Sequence, residues 1–312
     1  MINCLVYFAP LQGYTDAPYR NFFHQFFGGV DAYYTPFIRL EKSEFRKKEL
    51  RDIEPLENCV PNLIPQVIAS SSEELRQMIG MLSDKNYNRV DLNLGCPFPL
   101  LAGRHKGSGI LPFPDEVRKL LETFKEFPEM SFSVKMRLGW KDSEESFRLL
   151  PLFEEFPVSH IVLHPRLGIQ QYKGTVDMNA FTRFYEYCPV PLIYNGDLKT
   201  VSEIERVIAD YPRLSGVMIG RGLLADPSLA LDCKLGERLS DEEYRMRLSQ
   251  FHDALLQYYL SHYQGGDHQV LTKMKTLWEF MCPDADKKQR KRVLKANKLD
   301  VYQSAVYEIF RG

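Results

Sequence analysis

Short apolar runs alternate with amphipathic segments from residue 5 to about residue 230, and this alternation constrains the fold more than any other feature. The apolar runs predict eight strands, at residues 5–9, 32–35, 63–68, 90–94, 132–137, 160–164, 191–194 and 216–219. A helical or partly helical segment follows each run. Strands and helices that alternate in this way predict an α/β fold, the (β/α)8 TIM barrel.

An open, doubly wound sheet is the alternative to the barrel. Such a sheet normally carries a glycine-rich phosphate fingerprint after its first strand. Here the first strand is followed by a single glycine, Gly13, whereas Gly220-Arg221-Gly222 follows the eighth strand. Barrels place phosphate sites after strands seven and eight, so this position favours the barrel.

The alternation ends near residue 239, and longer amphipathic segments follow. They predict helices at residues 241–263, 270–281, 285–296 and 301–310. We therefore predict two domains, the barrel at residues 1–235 and a small all-α domain at residues 239–312.

Positive charge collects in this second domain, although the net charge of the whole chain is only −1. The basic residues are Lys273, Lys275, Lys287, Lys288, Arg290, Lys291, Arg292, Lys295 and Lys298. Such a run is usually a solvated helix face. It can also be a surface for a phosphate backbone, and the residues alone leave both explanations open.

Residues at the carboxyl ends of the predicted strands are the candidate site residues, because TIM barrels build their active sites there. They are Pro10, Leu11, Gln12, Gln66, Asn93, Cys96, Lys135, Arg137, His164, Arg166, Asn195, Gly196, Asp197, Gly220 and Arg221. Several of these residues also have a purely structural explanation. Cys96 could be a buried apolar thiol, His164 could be a neutral histidine bonded to the backbone, and residues 195–197 could form only a tight turn. Lys135 and Arg137 are harder to explain, because both point to one face of a strand and buried cations are costly.

The remaining composition excludes several kinds of site. The six cysteines are scattered without a C-x-x-C pair, which argues against a zinc site and a disulfide framework and indicates a reducing, cytoplasmic setting. No apolar run is long enough to span a bilayer, and no cluster of histidines and carboxylates at the strand ends predicts a metal.

Amides, cations, glycines and one cysteine suit a phosphate-bearing aromatic cofactor. Arg221 and the neighbouring glycine amides would bind its phosphate, and Gln66, Lys135 and Asn195 would bind the polar edge of its ring. FMN fits this set better than pyridoxal phosphate, which needs a Schiff-base lysine and a partner for its ring nitrogen.

Motifs in order along nearly the whole chain resemble the tRNA-dihydrouridine synthase family. They are Ala-Pro-Leu-Gln-Gly-Tyr-Thr-Asp at residues 9–16, Gln-Val at 66–67, Asn-Leu-Gly-Cys-Pro at 93–97, Gly-Ser at 107–108, Val-Lys-Met-Arg-Leu-Gly at 134–139, His-Pro-Arg at 164–166, Tyr-Lys-Gly at 172–174, Asn-Gly-Asp at 195–197 and Met-Ile-Gly-Arg-Gly at 218–222. The basic tail also resembles the family's RNA-binding domain, with its closest likeness to the bacterial C-type subfamily.

The resemblance implies a two-step flavin cycle. NADPH reduces FMN, the reduced flavin passes hydride to C6 of a uracil in tRNA, and Cys96 protonates C5 to give 5,6-dihydrouridine. The uridine is expected to flip out of its stack. The implied FMN contacts are Pro10, Leu11, Gln12, Gln66, Lys135, His164, Asn195, Gly196, Asp197, Gly220 and Arg221. The implied RNA contacts are Asn93, Arg137, Arg166, Tyr172, Lys273, Lys275 and Arg292.

Two other functions remain open at this stage. One is an FMN barrel that reduces a small pyrimidine or enone, and the other is an RNA-binding relative that has lost catalysis. The basic tail argues against the first, and the presence of Cys96, Lys135 and Arg137 argues against the second. We also expect a monomer, and we predict that the basic loop at residues 103–109 is a mobile, RNA-facing lid.

Overall fold

The computed structural model describes residues 4–311, and its centre is a closed ring of parallel strands. The strands are β1 (Leu5–Phe8), β2 (Ala32–Tyr34), β3 (Leu63–Ile64 and Gln66–Val67), β4 (Arg89–Leu94), β5 (Ser131–Gly139), β6 (Val158–Leu167), β7 (Leu192–Tyr194) and β8 (Gly216–Ile219). Each pairs in parallel with its neighbours, and β1 pairs with β8. The predicted TIM barrel is confirmed.

Strand β3 is divided at Pro65. Its first half pairs with β2 and its second half pairs with β4. Proline has no backbone N–H to donate, so it interrupts the ladder, while its carbonyl still accepts from Asp91 N at 2.9 Å. The ring therefore closes through one broken strand.

Helices cover the outside of the barrel and form the C-terminal region. The helices between the strands are α1 (Ala17–Phe26), α2 (Lys47–Asp52), α3 (Ser72–Asp84), α4 (Pro99–Ala102), α5 (Pro114–Glu122), α6 (Glu144–Phe147), α7 (Leu150–Glu155), α8 (Met178–Tyr187) and α9 (Val201–Asp210). After β8 come α10 (Arg221–Ala225), α11 (Leu229–Leu235), α12 (Asp241–His262), α13 (Gly266–Leu277), α14 (Lys287–Lys295) and α15 (Leu299–Arg311). Along residues 4–311, no helix combines the length and the apolar character needed to cross a membrane.

Side-chain hydrogen bonds cap the starts of two barrel helices. The Ser71 hydroxyl accepts from Glu74 N, and Thr200 and Glu203 form a reciprocal capping box at the start of α9. The charged stretch at residues 41–50, expected to be helical, is instead partly a small hairpin of Leu40–Glu41 with Glu44–Phe45. Its turn has Lys42 and Ser43 at φ values of 53° and 64°, which a helix cannot contain.

The C-terminal helices pack on the barrel through aromatic side chains. Phe251 of α12 lies edge-on to Tyr19 and Phe27 beside α1, with ring centroids 5.2 and 5.8 Å apart. Trp278 is fully buried and donates to the Tyr302 hydroxyl at 2.9 Å. The division at residues 1–235 and 239–312 stays a prediction, and residues 1–3 and 312 lie outside the described residues.

Candidate active site

A cleft of about 580 Å³ opens at the carboxyl ends of the barrel strands. Residues of β5, β6 and β8, and of the segments that follow β1, β6, β7 and β8, line it. They are Ala9, Pro10, Leu11, Lys135, His164, Tyr172, Asn195, Gly196, Asp197, Leu198, Lys199, Met218, Ile219, Gly220, Arg221 and Gly222. Ten of these lining residues are ones that the sequence predicted: Pro10, Leu11, Lys135, His164, Tyr172, Asn195, Gly196, Asp197, Gly220 and Arg221.

A cationic wall follows β7 and β8. The Asp197 carboxylate accepts from Arg221 at 2.7 Å and forms a second ion pair with Arg166. Burial opposes ionisation of Asp197, but the bonds from Arg166 and the charge of Arg221 outweigh it and lower the pKa of this carboxyl. Asp197 is thereby held as an anion that fixes both guanidinium groups, and Lys199 adds a further exposed cation at the same rim.

Lys135 supplies a cation from the barrel interior. It faces into the barrel from β5 and lines the cleft. Burial, with a further contribution from the Arg137 cation, lowers the pKa of Lys135 to about 8. The side chain is therefore mostly protonated at pH 7 but loses its charge in the mildly alkaline range.

His164 is neutral at pH 7, because burial and the surrounding cations Arg137 and Lys135 hold its pKa well below the usual value. Arg166 donates to its Nε2 at 3.1 Å. Guanidinium groups only donate, so Nε2 must be the acceptor and Nδ1 carries the proton. His164 can therefore donate one hydrogen bond to a ligand in the cleft.

Arg137 braces the loops beside this cleft. Its guanidinium donates to the carbonyls of Gly95, Leu167 and Gln171 at 3.0, 2.9 and 2.7 Å. The guanidinium groups of Arg137 and Arg221 both lie over the Tyr172 ring, with their central carbons 5.4 and 4.8 Å from the ring centroid. The predicted contact of Arg137 with RNA stays a prediction, and the bonds that the structure describes are internal.

Cys96 follows the end of β4 and is partly buried. Its backbone N–H donates to Asn93 Oδ1 at 2.8 Å, and its carbonyl accepts from Ser108 N and Oγ at 3.0 and 2.9 Å. Burial raises the pKa of the thiol, although the charges of Arg137 and Lys135 act in the opposite direction. The sulfur is therefore held as a protonated thiol at neutral pH.

The predicted mobile lid at residues 103–109 is wrong for most of its length. Lys106 is buried and bonds Glu74 at 2.8 Å, and His105 stacks on Phe113 at 4.1 Å. Residues 107–110 form a buried turn of 3₁₀ helix behind Cys96. Packing and internal ion pairs, which are not visible in a glycine-rich basic sequence, hold this loop as a wall of the site.

Six predicted residues of the barrel are absent from the cleft lining: Gln12, Gln66, Asn93, Cys96, Arg137 and Arg166. Gln12 lines a separate cleft of about 1490 Å³ between the loop after β1, α2 and the end of α12. Gln66 and Asn93 are buried and bond each other at 2.7 Å. Arg166, as described above, reaches the cleft only through His164 and Asp197.

The basic residues of the helical region divide into internal and exposed ones. Lys273 bonds Asp16 and the Gly13 carbonyl, both at 2.8 Å, and Arg290 bonds the carbonyls of Cys282 and Trp278. Arg292 is exposed but pairs with Glu308, and Lys275 is partly buried. An exposed stripe, here called the α14 basic face, consists of Lys287, Lys291 and Lys295, which follow one another at i, i+4 spacing, with Lys288 beside them.

The sequence analysis assigned no role to Asp91 or to Ser108. Asp91 accepts from Gln66 and Ser133 deep in the barrel, and Ser108 anchors Cys96. Asp91 could have been found, because it precedes Asn93 by two residues and so shares its face of β4. Nothing local to Ser108 indicates its contact with a strand end twelve residues away.

The site has the donors for an anionic, aromatic ligand and no cage for a metal. Among residues 4–311, no three His, Cys, Asp or Glu side chains are placed to hold a metal ion. The barrel is similar to morphinone reductase in complex with tetrahydroNAD, with a TM-score of 0.54, 12% identity, and coverage of 75% of this chain and 87% of that chain. The fold is therefore that of a TIM barrel found in an oxidoreductase.

Sequence comparisons specify the family. The family model described as Dihydrouridine synthase (Dus) matches residues 7–307, and the chain belongs to this family. A probable tRNA-dihydrouridine synthase of Rhodobacter capsulatus is 27% identical over 81% of this chain and 80% of its own length. tRNA-dihydrouridine synthase B of Pasteurella multocida is 24% identical over 72% of this chain and 67% of its own length.

Proposed function

We propose that this chain reduces specific uridines of tRNA to 5,6-dihydrouridine, with FMN as cofactor and NADPH as reductant, in the cytoplasm. One observation carries the proposal beyond family membership. Lys135, His164, Asn195 and Arg221 meet at one cleft, and Lys135 stands opposite Asn93, whose Oδ1 accepts from the backbone N–H of Cys96. A cofactor pocket thus lies beside a potential acid.

The donor set of the cleft fits FMN. Arg221 and Lys199 offer positive charge for a phosphate at the ends of β7 and β8, where barrels bind phosphate. Lys135 and the His164 Nδ1–H offer donors for the polar edge of an isoalloxazine ring. The Asn195 amide nitrogen is fixed by the Met218 carbonyl at 2.7 Å, so its oxygen is available as an acceptor.

The chain's own residues would then complete the reaction. When bound and reduced by NADPH, FMN supplies a hydride to C6 of the uracil. The electron pair displaced toward C5 and the C4 carbonyl requires a proton, and the Cys96 thiol gives its proton to C5. Lys135 would stabilise the negative charge that the cofactor's ring edge carries in its reduced state, before the hydride is transferred. Burial keeps Cys96 protonated before the reaction, and solvent returns its proton afterwards.

The α14 basic face would bind the tRNA backbone. Its exposed lysines present the positive charge that phosphate contacts need, although the net charge of the whole chain is only −1. Such contacts recognise shape more than sequence, so the modified position is set by how the RNA docks.

The test uses the purified full-length protein. We expect it to bind FMN, to show a flavin spectrum that NADPH bleaches, and to form dihydrouridine in tRNA from a strain that lacks the gene. Protein that takes up no flavin would contradict the proposal. Protein that reduces free uracil but not tRNA would instead support a small-molecule reductase.

A further inference from the structure

A chain of hydrogen bonds connects Asp91, at the centre of the barrel, with the backbone of Cys96. Gln66 Nε2 donates to Asp91 Oδ2 at 2.6 Å. Asn93 Nδ2 donates to Gln66 Oε1 at 2.7 Å. Asn93 Oδ1 accepts from the backbone N–H groups of Gly95 and Cys96 at 3.0 and 2.8 Å. We name these four hydrogen bonds the amide relay.

The strand register builds this relay. Gln66 stands opposite Asp91 on neighbouring strands β3 and β4, and Asp91 stands opposite Ser133 of β5. Ser133 Oγ donates to the other carboxylate oxygen, Asp91 Oδ1, at 2.6 Å. Asp91 and Gln66 are both 0% exposed, so water cannot replace a lost partner.

Both ends of the relay fix its direction. A carboxylate only accepts hydrogen bonds, and backbone N–H groups only donate them. With an acceptor at one end and donors at the other, the Gln66 nitrogen must face Asp91 and the Asn93 oxygen must face Cys96. An inverted amide at either position would place two acceptors or two donors against each other in a buried site, which is costly.

We propose that Asp91 is a positioning residue that orients Gln66 and Asn93 and thereby fixes the backbone of Cys96 for its work as an acid. Asp91 itself does not reach the cleft lining. Burial raises the pKa of Asp91 to about 6, and this carboxyl is therefore an anion at pH 7 and able to accept from both of its donors. The effect of Asp91 on dihydrouridine formation rests on the proposed role of Cys96, whereas its effect on the position of the Cys96 backbone does not.

A swap of the acid and the amide tests the direction of the relay. Asn93→Asp places a carboxylate oxygen against Gln66 Oε1, and Gln66 cannot invert without facing Asp91. We expect alkylation of Cys96, followed by mass spectrometry of its peptide, to accelerate at least about fivefold, the ratio for one lost buried hydrogen bond. The double variant Asp91→Asn with Asn93→Asp inverts the two side-chain bonds of the relay, keeps residue 93 as the acceptor from the backbone N–H groups of Gly95 and Cys96, and should restore the slow rate.

Two controls separate positioning from general damage. Asp91→Asn alone can keep its oxygen toward Gln66 and its nitrogen toward Ser133, so Cys96 should react at its original rate. Ser133→Ala removes the bond to Asp91 Oδ1 but leaves the relay intact, so it should lower stability without exposing Cys96. Should Asn93→Asp fail to fold, Gln66→Met cuts the relay with an apolar side chain of similar size and should give the same acceleration.

The outcomes are distinct. An unchanged alkylation rate in Asn93→Asp, or a double variant that alkylates as fast as Asn93→Asp, would overturn the relay. Dihydrouridine formation is measured in parallel and should fall in Asn93→Asp and recover in the double variant. If alkylation accelerates in Asn93→Asp and slows again in the double variant while dihydrouridine formation stays unchanged in both, the relay is supported and the proposed role of Cys96 is contradicted.

Discussion

At the scale of single residues, Cys96 makes the clearest prediction. Cys96→Ala should retain NADPH oxidation but lose dihydrouridine formation about 100-fold or more, the usual contribution of a general acid. Reduction of FMN needs no proton from this thiol, so the two half-reactions separate. The measurement is dihydrouridine in tRNA beside NADPH consumption without tRNA.

The control for this variant is Cys59→Ala, because Cys59 is exposed and also free. It should leave both half-reactions unchanged. Wild-type dihydrouridine formation by Cys96→Ala would remove the thiol from the mechanism.

Lys135 predicts a pH dependence for flavin binding. Its pKa is lowered to about 8 in the folded protein, so its charge is present at pH 7 and is lost as the pH rises through 8. FMN affinity of the apoprotein should therefore weaken between pH 7 and 9. Fluorescence titration at each pH measures it. Lys135→Met should bind FMN more weakly at pH 7 and should show a flat profile over the same range.

The residues that could be predicted from the sequence lie at or near the carboxyl end of an apolar run. Lys135 and His164 lie near the ends of two such runs, Asn195 and Arg221 follow two others, and the barrel brings all four positions together. Asp91 lies inside such a run, and its partners Gln66 and Ser133 belong to other strands. Register between strands decides that contact, and a single strand's sequence does not contain it.

At the scale of elements, the sequence predicts regular structure better than loops. Strands and capped helices follow from local patterns such as Thr200 with Glu203. The wall at residues 106–110 was not predictable, because its order comes from distant contacts such as Lys106 with Glu74. Glycines in this segment indicate close packing against Cys96 rather than mobility.

Gly107 tests this packing. It has a φ of +61°, and a Cβ built there would lie 2.6 Å from the Cys96 carbonyl oxygen. Gly107→Ala should therefore destabilise the fold by about 1–3 kcal/mol, the cost of a strained backbone position, and should slow dihydrouridine formation by displacing Cys96. Urea unfolding and the tRNA assay measure the two effects.

Gly80 is the matched control, because it lies within α3 and a Cβ there meets nothing within 4 Å. Gly80→Ala should stabilise the protein by about 0.5–1 kcal/mol through the higher helix propensity of alanine. Equal stability of the two variants would show that residue 107 is not tightly packed.

At the scale of the whole molecule, the helical region holds the loop that follows β1. The Tyr259 hydroxyl donates to Asp16 at 2.9 Å, and Tyr14 donates to Glu279 at 2.5 Å. Lys273 bonds Asp16 and the carbonyl of Gly13. Pro10 and Leu11 of the same loop line the cleft, so the helical region supports one wall of this cleft. The sequence could predict this region and its charge but not which cations face inward.

Lys273 and Lys291 therefore differ in what they do, although both are lysines of one basic region. Lys273 is nearly buried and paired with Asp16, whereas Lys291 is exposed on the α14 basic face. Lys273→Met should lower the free energy of unfolding by about 1–3 kcal/mol, because it leaves a half-buried carboxylate with one partner fewer. It should leave the salt dependence of tRNA binding unchanged.

Lys291→Met should change the salt dependence of tRNA binding and leave stability nearly unchanged, the reverse of Lys273→Met. Loss of one phosphate contact reduces the slope of log affinity against log salt concentration by about 1 and leaves stability nearly unchanged. Filter binding of tRNA at several salt concentrations, with urea unfolding of both variants, makes the comparison. A reduced slope in Lys273→Met would show that its ammonium leaves Asp16 for the RNA backbone, and the helical region would then release the loop after β1 whenever tRNA binds.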